Sequence, residues 1–181
     1  SDNSTTNSGI VTVYKKITTG WNKTQVLIPE DPTTGMYFGY ELSIAKGGNT
    51  LAIHALYNDY FDSSSGAFDK REGVVYIFEK SDSNEAWVQQ QKIISPNASD
   101  FDRFGTSVSF EGNYLVIGAP GDGTPPSNSN SGAVYIYSYN PNSSSWEPAH
   151  VLTPTTKQSA RAGSAVAISG NQIAIGAPGN E

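Results

Sequence analysis

General acid–base or nucleophilic catalysis needs a base within hydrogen-bond reach of a nucleophile or an activated water, and this chain has two imidazoles to offer, His54 and His150. His54 lies in the apolar run Leu51-Ala-Ile-His-Ala-Leu56 and reads as a packed histidine whose ring nitrogens are satisfied. His150 follows Pro148 and Ala149 in another part of the chain, at a non-equivalent strand position, so the two do not build one site. Carboxylate pairs of the sort that cleave glycosides, Asp100 with Asp102 and Asp59 with Asp62, fall in polar segments and read as solvated. So do Asp69 and Asp122, because an oxygen cage for calcium needs about six or more ligands at set spacing. Gly47-Gly48 and Gly121-Asp-Gly123 precede no helical pattern, so phosphate cradling is not supported. No catalytic, cofactor or metal site is expected, and the chain does not read as an enzyme.

Two other residue classes carry functional weight. Asn-x-Ser/Thr sequons occur at Asn3, Asn22, Asn97 and Asn142. Their number is what chance gives in a chain so rich in Asn, Ser and Thr; their placement in a terminus, loops or a strand edge is what favours N-linked glycans. Among aromatics, Trp21, Trp87 and Trp146 recur at intervals of about sixty residues and, with Tyr76, Tyr135 and Tyr137, suggest packing between repeated units. Tyr57, Tyr60, Phe61 and Phe68 escape that pattern and form a candidate contact surface for a partner.

The bulk numbers exclude several classes. Net charge is -6 with scattered Lys and Arg, which argues against a surface that neutralises phosphates, so nucleic acid is not an expected partner. No apolar run approaches the roughly 20 residues of a bilayer span, and no membrane insertion is expected. Ser1 to Gly9 is a polar lead without a signal-peptide core and reads as a mature or trimmed end. There is no cysteine, hence no disulfide framework. Hydrophobic residues are 36% and charged residues 15%, with 18 Gly, 10 Pro and 10 Tyr, a composition of short strands and tight turns.

A tandem repeat orders those strands. Phe38-Gly39, Phe104-Gly105 and Ala162-Gly163 each open a strand, followed by a Gly-Asn turn at Gly48-Asn49, Gly112-Asn113 and Gly170-Asn171, read as a two-residue hairpin. Second strands follow at Leu51, Leu115 and Ile173, third strands after Gly9, Gly73 and Gly132, and fourth strands headed by the three tryptophans. The second and third strands are apolar on nearly every residue, so both faces must be covered. With no helices to cover them, each four-stranded antiparallel sheet has to pack between others of its kind, which is what radial stacking of β-propeller blades achieves.

Phe104-Gly105, Gly118-Ala119-Pro120 and Ser131-Gly-Ala-Val-Tyr-Ile-Tyr137 together resemble the FG-GAP repeat of integrin α-subunits and of many bacterial and algal surface proteins. The resemblance runs from about residue 9 to the end. Its first unit departs from it, with His54-Ala-Leu56 in place of Gly-Ala-Pro and an insertion at 57–72; its third has Ala162-Gly163 in place of Phe-Gly. The resemblance implies an all-β propeller and an extracellular or cell-surface setting. The family's calcium loop between the first two strands of a blade is replaced here by the Gly-Asn turn, so those sites are expected to be absent.

Register with the repeat divides the chain into a polar lead (1–8), the C-terminal half of a blade (9–37), a blade with the long insertion (38–103), a second blade (104–160) and the N-terminal half of a further blade (161–181). The open edges of the half-blades call for pairing. Three completions are open: further blades of a longer chain closing a ring, reciprocal pairing into a closed dimer, or head-to-tail joining into a fibre. The expected function is a non-catalytic extracellular adhesion or scaffold module contacting proteins or glycans, with a polymerising structural subunit as the alternative.

Overall fold

The computed structural model describes residues 8–45, 47–56, 61–62, 67–68, 73–97, 101–123, 130–153 and 158–179. Every regular element among them is a strand, and no helix is long and apolar enough to cross a membrane. Strands β3 (Phe38–Ile44), β4 (Thr50–Ala55), β7 (Val74–Lys80) and β8 (Trp87–Ile94) form one antiparallel sheet in the order β3-β4-β7-β8. Strands β9 (Ser107–Glu111), β10 (Tyr114–Ala119), β11 (Ala133–Asn140) and β12 (Ser145–Leu152) repeat it. Two-stranded sheets stand on either side: β1 (Val11–Ile17) with β2 (Gly20–Leu27), and β13 (Ala165–Ser169) with β14 (Gln172–Gly176). These are two whole propeller blades flanked by two half-blades. The first half-blade holds third and fourth strands, and the last holds first and second strands.

Registers coincide between units. Ile53 lies opposite Tyr76 in one blade and Ile117 opposite Tyr135 in the other. Third and fourth strands are bulged at the same place three times, at Val13/Tyr14, Ile77/Phe78 and Ile136/Tyr137. A bulge shifts one strand by a residue and sharpens its twist, so its recurrence holds all three fourth strands in a common orientation.

Stacking explains why the middle strands are apolar on both faces. Val74, Tyr76, Phe78 and Trp87 pack with Val11 and Leu27 of the preceding half-blade. The alternate residues Val75 and Ile77, with Ile93, pack with Val108, Phe110, Tyr135, Tyr137 and Trp146 of the following blade. Val134 and Ile136 in turn meet Val166, Ile168, Ile173 and Ile175 of the last half-blade. Each sheet is therefore a layer between layers, with the first strands β3, β9 and β13 side by side.

Adjacent blades come closest where the glycine before each third strand meets the start of the next blade. Gly132 has φ +83, bridges Ala162, and a Cβ there would lie 2.1 Å from the Ala162 carbonyl oxygen. Gly73 stands in the same relation to Phe104, and Gly9 to Phe38. The turns differ from expectation in one case. Gly112-Asn113 and Gly170-Asn171 are two-residue turns with positive φ at the glycine only, whereas Ala45 and Thr50 close a longer loop in which Gly47 and Gly48 both take positive φ. The extra glycine at Gly47 lets that loop lengthen without strain.

Candidate functional site

The blades are joined by a side-chain clamp that repeats. Gln25 on β2 donates from Nε2 to the Trp87 carbonyl at 2.8 Å and accepts the Trp87 N–H at 2.8 Å. Gln91 on β8 does the same to Trp146, at 2.9 and 2.8 Å. A carboxamide presents one donor and one acceptor side by side, so it can cap both main-chain groups of one residue on the outermost strand of the next blade. The bulge fixes the reach: Gln25 lies opposite Val13, Gln91 opposite Ile77, and His150 opposite Ile136. His150 therefore stands at the third equivalent register position, with an imidazole in place of the carboxamide, and it is exposed.

At the other end, the tryptophans separate by environment. Trp87 and Trp146 are 7% and 6% exposed, and Trp21 is 69% exposed at the equivalent register. Ile10 just before β1, Tyr14 on β1, and Leu42 and Ile44 on β3 are exposed as well. Their counterparts Val74, Phe78, Val108 and Phe110 are all buried. These residues form two apolar surfaces, the outer face of the first half-blade and the part of β3 next to it, and among the described residues no sheet covers either and no strand pairs with the outer edge of β1. Such patches mark interaction surfaces.

A groove of about 530 Å³ runs between the first half-blade and the next blade, lined by Tyr14, Lys15, Thr24 and Gln25 on one side and Ile44, Lys80, Glu85 and Trp87 on the other. Glu85 spans it, paired with Lys15 at 2.6 Å and Lys80 at 3.2 Å. The hydrogen bond from Lys15, then that from Lys80, holds the Glu85 carboxyl below its ordinary range. Solvent-exposed pairs of this kind add little stability.

The residues weighed for chemistry are scattered, and several expectations need correction. His54 is fully buried in β4, but among the described residues neither ring nitrogen has a hydrogen-bond partner, so its ring is packed and not satisfied. Burial lowers its pKa to about 3, against a weak opposing pull from the Phe104 main chain, and keeps it neutral. The cause is its register. His54 opposes Val75 where Gly118 opposes Val134, so an imidazole occupies a slot that in the next blade accepts only glycine. Gly105 and the edge-on Tyr40 ring, 5.7 Å away, make room for it.

Asp122 and Asp102 are buried and not solvated. Asp122 accepts the Tyr135 hydroxyl, and Asp102 lends its carbonyl to the Gly121 N–H at 3.0 Å, because the loop after β10 folds back onto the start of its own blade. Burial, and then the bond to Asp122, raises the Tyr135 pKa and keeps the phenol protonated. Asp31, which the sequence does not single out, accepts from Tyr76 at 2.8 Å and pairs with Lys92, which also lies over the Tyr76 ring. Among the described residues no group of three or more acidic or histidine side chains could hold a metal ion.

Of the aromatic surface proposed for a partner, Tyr57 and Tyr60 lie outside the described residues, as do Asp59, Asp69 and Asp100. Phe61 and Phe68 oppose each other on two short strands, β5 (Phe61–Asp62) and β6 (Ala67–Phe68), and Asp62 opposes Ala67. Asn22 is exposed on β2, and Asn97 and Asn142 are exposed in turns; Asn3 lies outside the described residues.

Residues 87–137 match the family model described as FG-GAP repeat. The matched segment covers β8 to β11, so the sequence repeat straddles the boundary between two blades. No curated protein matches the chain. Among solved structures, the crystal structure of Saccharomyces cerevisiae Sqt1 is similar at a TM-score of 0.48 and 9% identity, over 84% of this chain. The chain spans 31% of that structure's length.

Proposed function

We propose that this chain, which carries an FG-GAP repeat, is a non-catalytic extracellular scaffold or adhesion module that works by covering and being covered. The observation that carries this reading is the solvent-exposed Trp21, with Ile10, Tyr14, Leu42 and Ile44, at register positions buried elsewhere in the same molecule. An apolar blade face is stable in water only when another sheet lies on it. What covers this face is a further sheet of the same kind, and chemistry is left to other proteins.

N-linked glycans at Asn3, Asn22, Asn97 and Asn142 belong to the same proposal; the exposure of the latter three supports it. No cofactor is required, and the short turns Gly112-Asn113 and Gly170-Asn171 leave no space for a calcium loop of carboxylates between first and second strands.

Hydroxyl-radical footprinting tests this reading. On secreted or cell-surface protein, Trp21 and Tyr14 are expected to be protected relative to the purified chain at high dilution. Equal labelling in both settings, or recovery of the protein only from inside cells, would contradict it.

A further inference from the structure

We infer that the cleft between the two whole blades binds an uncharged sugar residue of a glycan, in a groove lined by Glu79, Asp82, Asn113, Tyr139 and Trp146. The groove has a volume of about 320 Å³ and lies at the end of the blades where the β7–β8 turn faces the β9–β10 and β11–β12 turns. All of its walls belong to the two four-stranded sheets and their turns, so nothing in it depends on the uncovered face around Trp21.

The neighbouring groove shows what this one lacks. Lys15, Glu79 and Ser138 hold one register position, each preceding the residue that pairs with the tryptophan of its fourth strand. Glu85 and Ser144 hold another, two residues before Trp87 and Trp146, and both take positive φ, +57 and +51. Between the first half-blade and the next blade these positions bring Lys15 and Glu85 together, and their 2.6 Å ion pair bridges the groove. Between the whole blades the same positions hold Glu79 and Ser144, which form no such bridge. Among the described residues the Glu79 carboxylate has neither an ion pair nor a hydrogen bond, and burial, with no cation to offset it, raises its pKa. A partly desolvated carboxylate without a donor is a cost to the fold, and a ligand in the groove relieves it.

A second group in the groove is unmet. Trp146 is 6% exposed, and its indole N–H is buried with no acceptor among the described residues. A carboxylate only accepts hydrogen bonds and an indole only donates. A cation would serve Glu79 and leave the indole unmet, and an anion would face the carboxylates of Glu79 and Asp82. A hydroxyl does both, donating to a carboxylate and offering lone pairs to an N–H, and a sugar ring carries several in a fixed array. Asn113 adds a carboxamide with a donor and an acceptor. The half-buried Tyr139 ring, tilted against Trp146 at 5.5 Å, adds an apolar wall for the C–H face of a sugar. The volume is at the small end of the usual range of about 300–1,000 Å³ for small-molecule sites, which suits one ring better than an extended peptide.

Fluorine NMR titration of the full chain labelled with 5-fluorotryptophan tests this. The probes are the methyl glycosides of mannose, galactose, N-acetylglucosamine and fucose, with methylammonium chloride as the cation control. At least one glycoside is expected to move the Trp146 resonance saturably and to leave those of Trp21 and Trp87 in place. Glu79→Gln should weaken that binding about tenfold, the worth of a hydrogen bond to a charged group, without lowering the melting temperature, since it removes an unmet charge. Glu79→Lys combined with Ser144→Glu transfers the Lys15–Glu85 bridge into this groove and should abolish sugar binding while the chain stays folded. No saturable shift with any glycoside, a shift with methylammonium alone, or full affinity in both variants would overturn the proposal. The scaffold reading, which rests on Trp21, would then still stand or fall on the footprinting.

Discussion

Trp146 and Trp21 head equivalent strands, each three residues before the same bulge, and differ in what lies beside them. Trp146 has Phe110 and Tyr139 against its ring, at 5.2 and 5.5 Å, and a glutamine from the preceding blade on its main chain. Trp21 has solvent. Burial in this architecture is thus a property of the neighbouring sheet more than of the residue. The junction between the two whole blades shows how such a face is covered where a neighbouring sheet is present.

The widest separation expected between the two regions is in stability. Trp146→Ala should cost about 3–5 kcal/mol, the usual range for a large aromatic removed from a packed core, while Trp21→Ala should stay within about 0.5 kcal/mol for the dispersed chain. Urea denaturation of both variants measures this, and similar losses would erase the distinction. Next comes Gly132→Ala, whose Cβ would press on the Ala162 main chain at positive φ. A loss of about 2–4 kcal/mol is expected there, against about 1 kcal/mol for Gly47→Ala, where positive φ is the whole cost and no atom lies within 4 Å; thermal melts compare them.

The clamp gives a smaller contrast. Gln91→Leu forfeits two hydrogen bonds and should cost about 1–3 kcal/mol, whereas His150→Leu should cost about nothing, since that side chain is exposed. Equal effects on the urea midpoint would show that the Gln91 clamp adds nothing to the blade junction.

The gentlest effect is titration of His54. Its folded pKa of about 3 lies below the unfolded value of 6.5, so between them the unfolded chain binds more protons and acid favours unfolding. Stability should fall as pH drops below about 6.5, with this residue contributing a slope of up to about 1.4 kcal/mol per pH unit. His54→Leu should flatten the slope by that amount in urea titrations at successive pH values; an unchanged slope would show the imidazole to be solvated.

Much of this architecture is legible in the sequence because a repeat states its rule several times. The apolar runs at Leu51, Val74, Leu115 and Ala133, with no helix to cover them, force sheets to stack, and the tryptophans mark the fourth strands. What the repeat does not state is where a unit departs from it. The gap between Ile44 and Thr50 takes a longer loop, which the extra Gly47 signals only weakly. Asp102 and Asp122 look like loop acids because burial there comes from a loop folding back through Gly121, a contact with no periodic signature. The clamp was within reach of sequence, since glutamine follows tryptophan by the same spacing at Trp21 and Trp87, but its purpose appears only when the main chain of the next blade comes alongside. Asp31 carries no such hint, as its partners Tyr76 and Lys92 belong to the neighbouring blade.

Fluorine NMR of the chain labelled with 5-fluorotryptophan tests the central claim most directly, since its three tryptophans give three resonances. At high dilution only Trp21 should show the H2O/D2O isotope shift of a solvated ring, while Trp87 and Trp146 should show none. A Trp21 ring already shielded at high dilution, or one that stays solvated in every assembly the protein forms, would contradict the account.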